Sequence, residues 1–248
     1  MLCMTSKEVV KLGGVGLADL MIRECVESGQ IDEASLAALY PEGPELHCIR
    51  LENYIVSQLD GDDFIHKRAF ATGEIFPFES DYYTGEALFA LMRSPRQVPR
   101  VRTAMEQLLA SGYGLAQQSH WMAYAACAAL KTGYCDAARV LAYLERLIDS
   151  IVADPSYRQR HESTPIACRT EALVEILQTH RQVASLGERL ASAMVEAARA
   201  TVIENLALQL RYYGEGQFRK GRDSDKVQID YIQHNGAAFL GWSLLADQ

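Results

Sequence analysis

Residues able to exchange protons recur at one kind of place in this sequence: the first turns of helices that continue into small apolar residues. Tyr82, Tyr83 and Glu86 lead into Ala87-Leu88-Phe89-Ala90, and Gln118, His120 and Trp121 into an alanine-rich run. Arg169 and Glu171 lead into Ala172-Leu173-Val174, and Asp230, Tyr231, Gln233 and His234 into Ala237-Ala238-Phe239-Leu240. Carboxylates and imidazoles supply general acids and bases, while aromatic rings stack on sugar or other planar faces. Glu86 and Asp230 are therefore the candidate catalytic carboxylates, two groups that can divide acid and base roles when their surroundings separate their pKa values. His120 and Glu171 are the candidate assisting groups. The candidate substrate contacts are Tyr82, Tyr83, Gln118, Trp121, Arg169, Tyr231, Gln233, His234 and Arg222. The last belongs to a basic loop, with Arg219 and Lys220, suited to a carboxylate or phosphate.

Each of these residues also has a structural reading. Glu86 can complement a helix dipole, Asp230 can cap a helix, His120 can be a satisfied core histidine, and Glu171 can pair with Arg169. Asp230 and His234 stand four apart, a spacing that can chelate a metal with His120 or Glu86 as a third ligand. Such a pair is common by chance. The six cysteines lie singly, without a Cys-x-x-Cys pair, and the sequence has no His-Glu-x-x-His, phosphate loop, dinucleotide fingerprint or nucleophile elbow. No resident metal or cofactor is expected, and free buried thiols are the expected state of the cysteines.

The elements that must position these groups are helices. Apolar residues at helical spacing predict a first helix from Val9 to Met21, weakened by Gly13, Gly14 and Gly16. Short helices are expected near 33–40 and 46–59, then longer ones near 81–93, 98–111, 117–131, 136–152, 166–180, 187–212 and 229–245. Ser94-Pro95, Gly112-Tyr113-Gly114, Thr132-Gly133 and Asp154-Pro155 supply the breaks. At most, 62–67 and 216–220 form short extended pieces. One unit recurs. A helix ending near Gln-Leu runs through a Gly/acidic turn to Phe64 or Phe218, and then through a polar loop to Asp81-Tyr82 or Asp230-Tyr231. Without a low-complexity linker, a single helical domain over 1–248 is expected, with 1–45 as its N-terminal helices.

Composition narrows the function classes. The chain has 248 residues, 49% hydrophobic and 23% charged, which suffices for a sizeable globular core. A net charge of −8, spread along the chain, lacks the basic footprint of a nucleic-acid binder. No stretch approaches the ~20 apolar residues of a membrane span, and the start lacks a secretory pattern. A cytoplasmic protein without nucleic-acid or membrane partners is expected.

The segments Gln58-Leu59-Asp60-Gly61-Asp62-Asp63-Phe64, Tyr82-Tyr83-Thr84-Gly85-Glu86-Ala87-Leu88 and Ile229-Asp230-Tyr231-Ile232-Gln233-His234-Asn235-Gly236 carry a resemblance. They resemble the turn-plus-inner-helix units of the α/α-toroid proteins, the superfamily of six-hairpin glycosidases and sugar 2-epimerases. The resemblance covers most of residues 46–248. It implies an all-α, toroid-like array of helical hairpins with inner-helix N-termini converging on one cavity. Six hairpins of ~50–60 residues need more than about 300 residues, so four to five are expected here, leaving the array incomplete or closed by a homodimer partner. The implied function is an enzyme acting by acid–base catalysis on a carbohydrate or related polyhydroxylated small molecule, by hydrolysis, elimination or epimerisation. A natural-product or isoprenoid-type cyclase or tailoring enzyme is the alternative on the same architecture, and a non-catalytic helical-repeat binding scaffold is the alternative from another class.

Overall fold

The computed structural model describes residues 1–246 and is predominantly helical, in agreement with the all-α expectation. Its internal contacts divide the chain into two compact units, Met1–Ser111 and the segment from Gly112 onward.

In the first unit, strand β1 (Thr5–Ser6) turns through Lys7 and Glu8, both at positive φ, into β2 (Val9–Lys11). Helix α1 (Leu12–Glu27), α2 (Glu33–Leu39) and α3 (Pro44–Ser57) follow. Next come a two-stranded ribbon, β3 (Leu59–Asp60) with β4 (Asp63–Phe64), then β5 (Lys67–Ala69), α4 (Tyr83–Arg93) and α5 (Pro99–Ser111). Val9 and Val10 were expected in the first helix. They instead lie in the middle strand of a small antiparallel sheet, pairing with Ala69 and Arg68 of β5. β-branched residues suit such a strand, and helical periodicity cannot separate two valines from the helix that follows.

The glycines of α1 do not break it. They set how closely it packs. A Cβ on Gly13 would lie 1.8 Å from Oε2 of Glu86, and one on Gly16 would lie 2.8 Å from the Glu86 carbonyl oxygen. α1 packs on α4 and α3, so each of these two glycines admits the α4 backbone or side chain where any other residue would hold it off. Val15, Leu51, Ile55 and Leu88 are buried in this unit. Arg23 joins α1 to α3 through a buried ion-pair network. It pairs with Asp19 and Glu52, and Arg96 reaches the second Glu52 oxygen at 2.9 Å.

The second unit contains α6 (His120–Thr132), α7 (Ala137–Ala153), a 3-10 turn (Pro155–Arg160) and α8 (Ser163–Val183). It continues with α9 (Ser192–Gln209), a ribbon of β6 (Tyr213–Gly214) and β7 (Gln217–Phe218), and α10 (Ile229–Ala246). Helix α7 shows how its sequence chooses a face. Asp136 caps it by accepting a hydrogen bond from the Arg139 amide at 2.9 Å, while Val140, Tyr143, Leu144, Leu147, Ile148 and Ile151 form one buried stripe. Helix α8 is central: α6, α9 and α10 all pack on it. Ala125, Ala126 and Ala129 of α6, Ala172 of α8 and Ala238 of α10 are fully buried, the small residues that let helices approach closely. Gly241 continues the theme. A Cβ there would meet Val174 at 2.6 Å, and its carbonyl accepts a hydrogen bond from Gln178 at 2.7 Å.

The two ribbons are matched. Leu59 pairs with Phe64 and Tyr213 with Phe218, each across a two-residue turn, and each ribbon follows the end of a helix. The equivalence expected for the tyrosines is not kept. Tyr82 precedes its helix and is 52% exposed, whereas Tyr231 lies inside α10 and is 9% exposed. The polar loops before the two helices differ in length, which shifts the registers apart.

Candidate functional site

Three local devices fix the site in the second unit. The first is the start of α6. Gln118 sits at positive φ, and its amide nitrogen donates to the carbonyls of Ser150 and Asp154 at 2.8 and 3.0 Å. Ser119 then caps α6 by accepting from the Met122 amide, so His120 is its first residue and Tyr124 lies one turn on, on the same face. The second is the start of α8, where Ser163 donates through its amide and hydroxyl to the carbonyls of Lys220 and Arg219. Cys168 and Glu171, three apart, then share one face of α8. The third is α10, whose contact with α8 at Gly241 sets the height of His234.

These devices bring four donors together. Ligand atoms of His120, Cys168, Glu171 and His234 all lie within 4.8 Å of one another. Glu171 is the hub: one oxygen accepts from the Tyr124 hydroxyl at 2.5 Å and the other meets Nδ1 of His234 at 2.7 Å. The His120 and His234 rings meet edge to face with centroids 5.0 Å apart, and Trp121 and Tyr124 stand at 5.0 and 6.5 Å from His120. His120, Cys168 and Glu171 are buried, and the His234 side chain retains 13% exposure. The cluster therefore reaches the surface on the His234 side.

The electrostatics separate the two histidines. Burial, reinforced by nearby His234 and Arg169, holds His120 well below the ordinary imidazole range, so it is neutral. Burial also opposes charge on His234, but hydrogen bonds and charge from Cys168 and Glu171 outweigh it and push the ring to about 10. Burial and the Glu171 charge hold the Tyr124 phenol well above its usual range, which keeps it a donor. The arrangement offers one neutral imidazole, one charged imidazole paired with a carboxylate, a phenol and a thiol. That set can exchange protons, and its nitrogen, sulfur and oxygen donors can also ligate a metal ion.

Of the residues nominated from sequence, His120, Glu171 and His234 converge, and Trp121 flanks them. Gln118 and Arg169 are engaged within the chain: Arg169 donates to Oε1 of Gln118 at 3.0 Å and to the Gln117 carbonyl at 2.8 Å. Tyr231 donates its hydroxyl to Gln228 at 2.7 Å. Asp230 and Gln233 are exposed on α10, and Asp230 is not part of the four-donor group despite its spacing from His234. Arg222 is exposed and lines a surface hollow with Arg160, His161 and Lys220. Glu86, Tyr82 and Tyr83 belong to the first unit. There Glu86 is buried against Gly13, its Oε2 has no hydrogen-bond partner, and burial pushes its pKa to about 7. Glu171 takes Tyr124 and His234 as partners in place of the Arg169 pairing weighed from sequence. The sequence reading missed Cys168 and Tyr124. Their signal was present as helical spacing, Cys168 one turn before Glu171 and Tyr124 one turn after His120.

All six cysteines are free; Cys48, Cys127, Cys135 and Cys168 are buried as expected, whereas Cys3 and Cys25 are partly exposed. No described helix is long and apolar enough to cross a membrane. Compared with known proteins, the chain matches no family model, no curated protein and no solved structure.

Proposed function

We propose that this protein is an enzyme acting by acid–base chemistry on a carbohydrate or related polyhydroxylated small molecule, with its reaction centre at His120, Glu171 and His234. The observation that carries the reading is the Tyr124–Glu171–His234 hydrogen-bond chain set inside an alanine- and leucine-rich helical core. Desolvating a carboxylate and an imidazole there costs several kcal/mol per ion before they attract one another, so apolar residues would hold the same helices together at least as well. Polar groups kept at such a position point to chemistry. Trp121 and Tyr124, with ring centroids 5.7 Å apart, supply aromatic faces beside the centre for a sugar-like substrate. The α/α-toroid resemblance of the sequence agrees with this substrate class, and closure of the helical array by a second copy belongs to the same proposal.

Turnover tests it. A panel of glycosides, aldoses, ketoses and uronic acids is incubated with the wild type, Glu171→Gln and His120→Gln, and the products are read by mass spectrometry and NMR. The reading expects one substrate class to be converted by the wild type and to be lost by about 100-fold or more in both variants, with helicity unchanged by circular dichroism. Conversion that survives in both variants would move the reaction centre elsewhere.

A further inference from the structure

We propose that the His120, Cys168, Glu171 and His234 cluster is a binding site for a divalent transition metal, with zinc the ion its donors suit best. This deepens the proposed reaction centre by naming its cofactor, and it rests on the placement of that centre.

The argument begins with geometry. An ion bound tetrahedrally with bonds of 2.0–2.3 Å separates its donors by about 3.3–3.8 Å. The four ligand atoms here lie within 4.8 Å of one another before any ion draws them in, so closing the shell takes side-chain adjustments of about an ångström. The backbones need not move, because the donors sit on three mutually packed helices. His120 starts α6, Cys168 and Glu171 share a face of α8, and His234 lies on α10.

Donor chemistry selects the ion. Once His234 and Cys168 give up their protons to the incoming ion, two imidazoles, a thiolate and a carboxylate form a borderline-soft set, which favours zinc or a neighbouring transition metal over magnesium or calcium, whose shells are built from oxygen. The other buried carboxylate group is built differently: Asp19 and Glu52 are each held by the guanidinium of Arg23, with Arg96 on Glu52. In the cluster the carboxylate of Glu171 is instead paired with His234, itself a ligand type.

The surroundings also fit a metal centre. Tyr124, which is not a ligand, donates its hydroxyl to Glu171, an outer-sphere contact of the kind that orients a ligand and tunes its basicity at metal sites. Three of the four donors are buried, and His234 lies on the side that keeps some exposure, so a water or substrate oxygen would reach the ion there as a fifth ligand or by displacing one of the four. A water taken up in that way would have its pKa lowered by the ion, which would supply the base for the proposed chemistry.

Cobalt titration of the metal-free full-length protein tests the proposal. Protein stripped with a chelator is titrated with Co2+ and then Zn2+, and absorbance is followed. Saturation at a single equivalent is expected, with a thiolate-to-cobalt charge-transfer band that zinc abolishes. Cys168→Ala should lose the band while Cys127→Ala, at another buried thiol, keeps it. His234→Gln should weaken binding by at least about 100-fold, the upper end of what losing an outer-sphere partner costs. Asp230→Asn, on the exposed side of the same helix, should bind as wild type does. Helicity checked in each variant separates lost ligands from lost folding, and the Cys127→Ala and Asp230→Asn comparisons hold even if one ligand variant misfolds. Absence of saturable binding by folded wild type, or a band that persists in Cys168→Ala, overturns the proposal. Full turnover by metal-free protein would overturn the metal as cofactor of the reaction and leave acid–base catalysis standing. Stoichiometric metal with no turnover of any polyhydroxylated compound would do the reverse.

Discussion

Glu86 and His66 show how differently one fold can treat two titratable groups. Glu86 presses its carboxyl against the Gly13 backbone with Oε2 unpaired, and burial alone raises its pKa to about 7. Because the folded value lies above the ordinary 4.5, the protonated carboxyl is the one the fold prefers. Its stabilising contribution is complete below pH 4.5 and is lost as pH rises through 7. The displacement corresponds to at most about 3 kcal/mol. Urea unfolding of wild type should therefore show lower stability at pH 8 than at pH 5, and Glu86→Gln should flatten that slope. An unchanged slope in the variant would assign the pH dependence to other groups. His66 behaves in the opposite sense. Its Nδ1 accepts from the Ser80 amide, so Nε2 carries the proton and donates to Thr84 at 2.9 Å, and Thr84 donates to Asp63 at 2.5 Å. Burial, against the charges of Asp63 and Glu79, holds this ring below the usual 6.5. Its contribution is present above pH 6.5 and is lost as pH falls through the lower folded value. His66→Gln should reduce the acid sensitivity of the wild type below pH 6, measured by the same unfolding series.

Helix contacts in both units are set by glycine and alanine, and the consequences can be measured position by position. Gly13→Ala places a methyl within 1.8 Å of Glu86 Oε2 and 2.5 Å of the Tyr83 ring. Forcing α1 away from α4 should cost about 1–3 kcal/mol. Gly14→Ala, one residue away, meets nothing within 4 Å and should stabilise the helix by up to roughly 0.5 kcal/mol, the low end of the gain from replacing a helical glycine because Gly14 lies in the first turn. Thermal melts that moved in the same direction for both would refute this account of the α1–α4 contact. Gly241→Ala should resemble Gly13→Ala, since its methyl would meet Val174 at 2.6 Å.

For the whole molecule, the homodimer expected from an incomplete helical array would rest on exposed apolar residues. Leu12 and Leu20 are buried, whereas Leu240 and Leu244 of α10, with Ile203 and Leu210 after α8, are exposed large apolar residues. Exposed apolar patches on proteins commonly mark interfaces, and two-fold dimers are the commonest closed assembly. A dimer through the α10 face is the expected mass in light scattering at micromolar concentration, and Leu240→Glu with Leu244→Glu should return a monomer of unchanged helicity. A monomeric wild type would remove self-association from the reading.

The local signals were strong wherever one element decided the outcome. The apolar stripe of α7 and the turns ending at Phe64 and Phe218 follow from spacing that neighbouring residues alone enforce, whereas α6, expected from 117, begins at His120 after the Ser119 cap. The same spacing marked His120, Glu171 and His234 as polar positions on apolar helices. It could not say which of the four polar helix starts would meet, because Tyr124 and Glu171 are 47 residues apart and Glu171 and His234 are 63 apart. Nor could it separate Cys168 from five other single cysteines, or Val9 and Val10 of β2 from the helix beyond them, since the pairing with β5 crosses more than fifty residues. Periodicity reports the face a residue takes on its own helix. Which faces share a core depends on how closely the helices approach, and in this protein Gly13, Gly16, Gly241 and the buried alanines of α6, α8 and α10 set that approach.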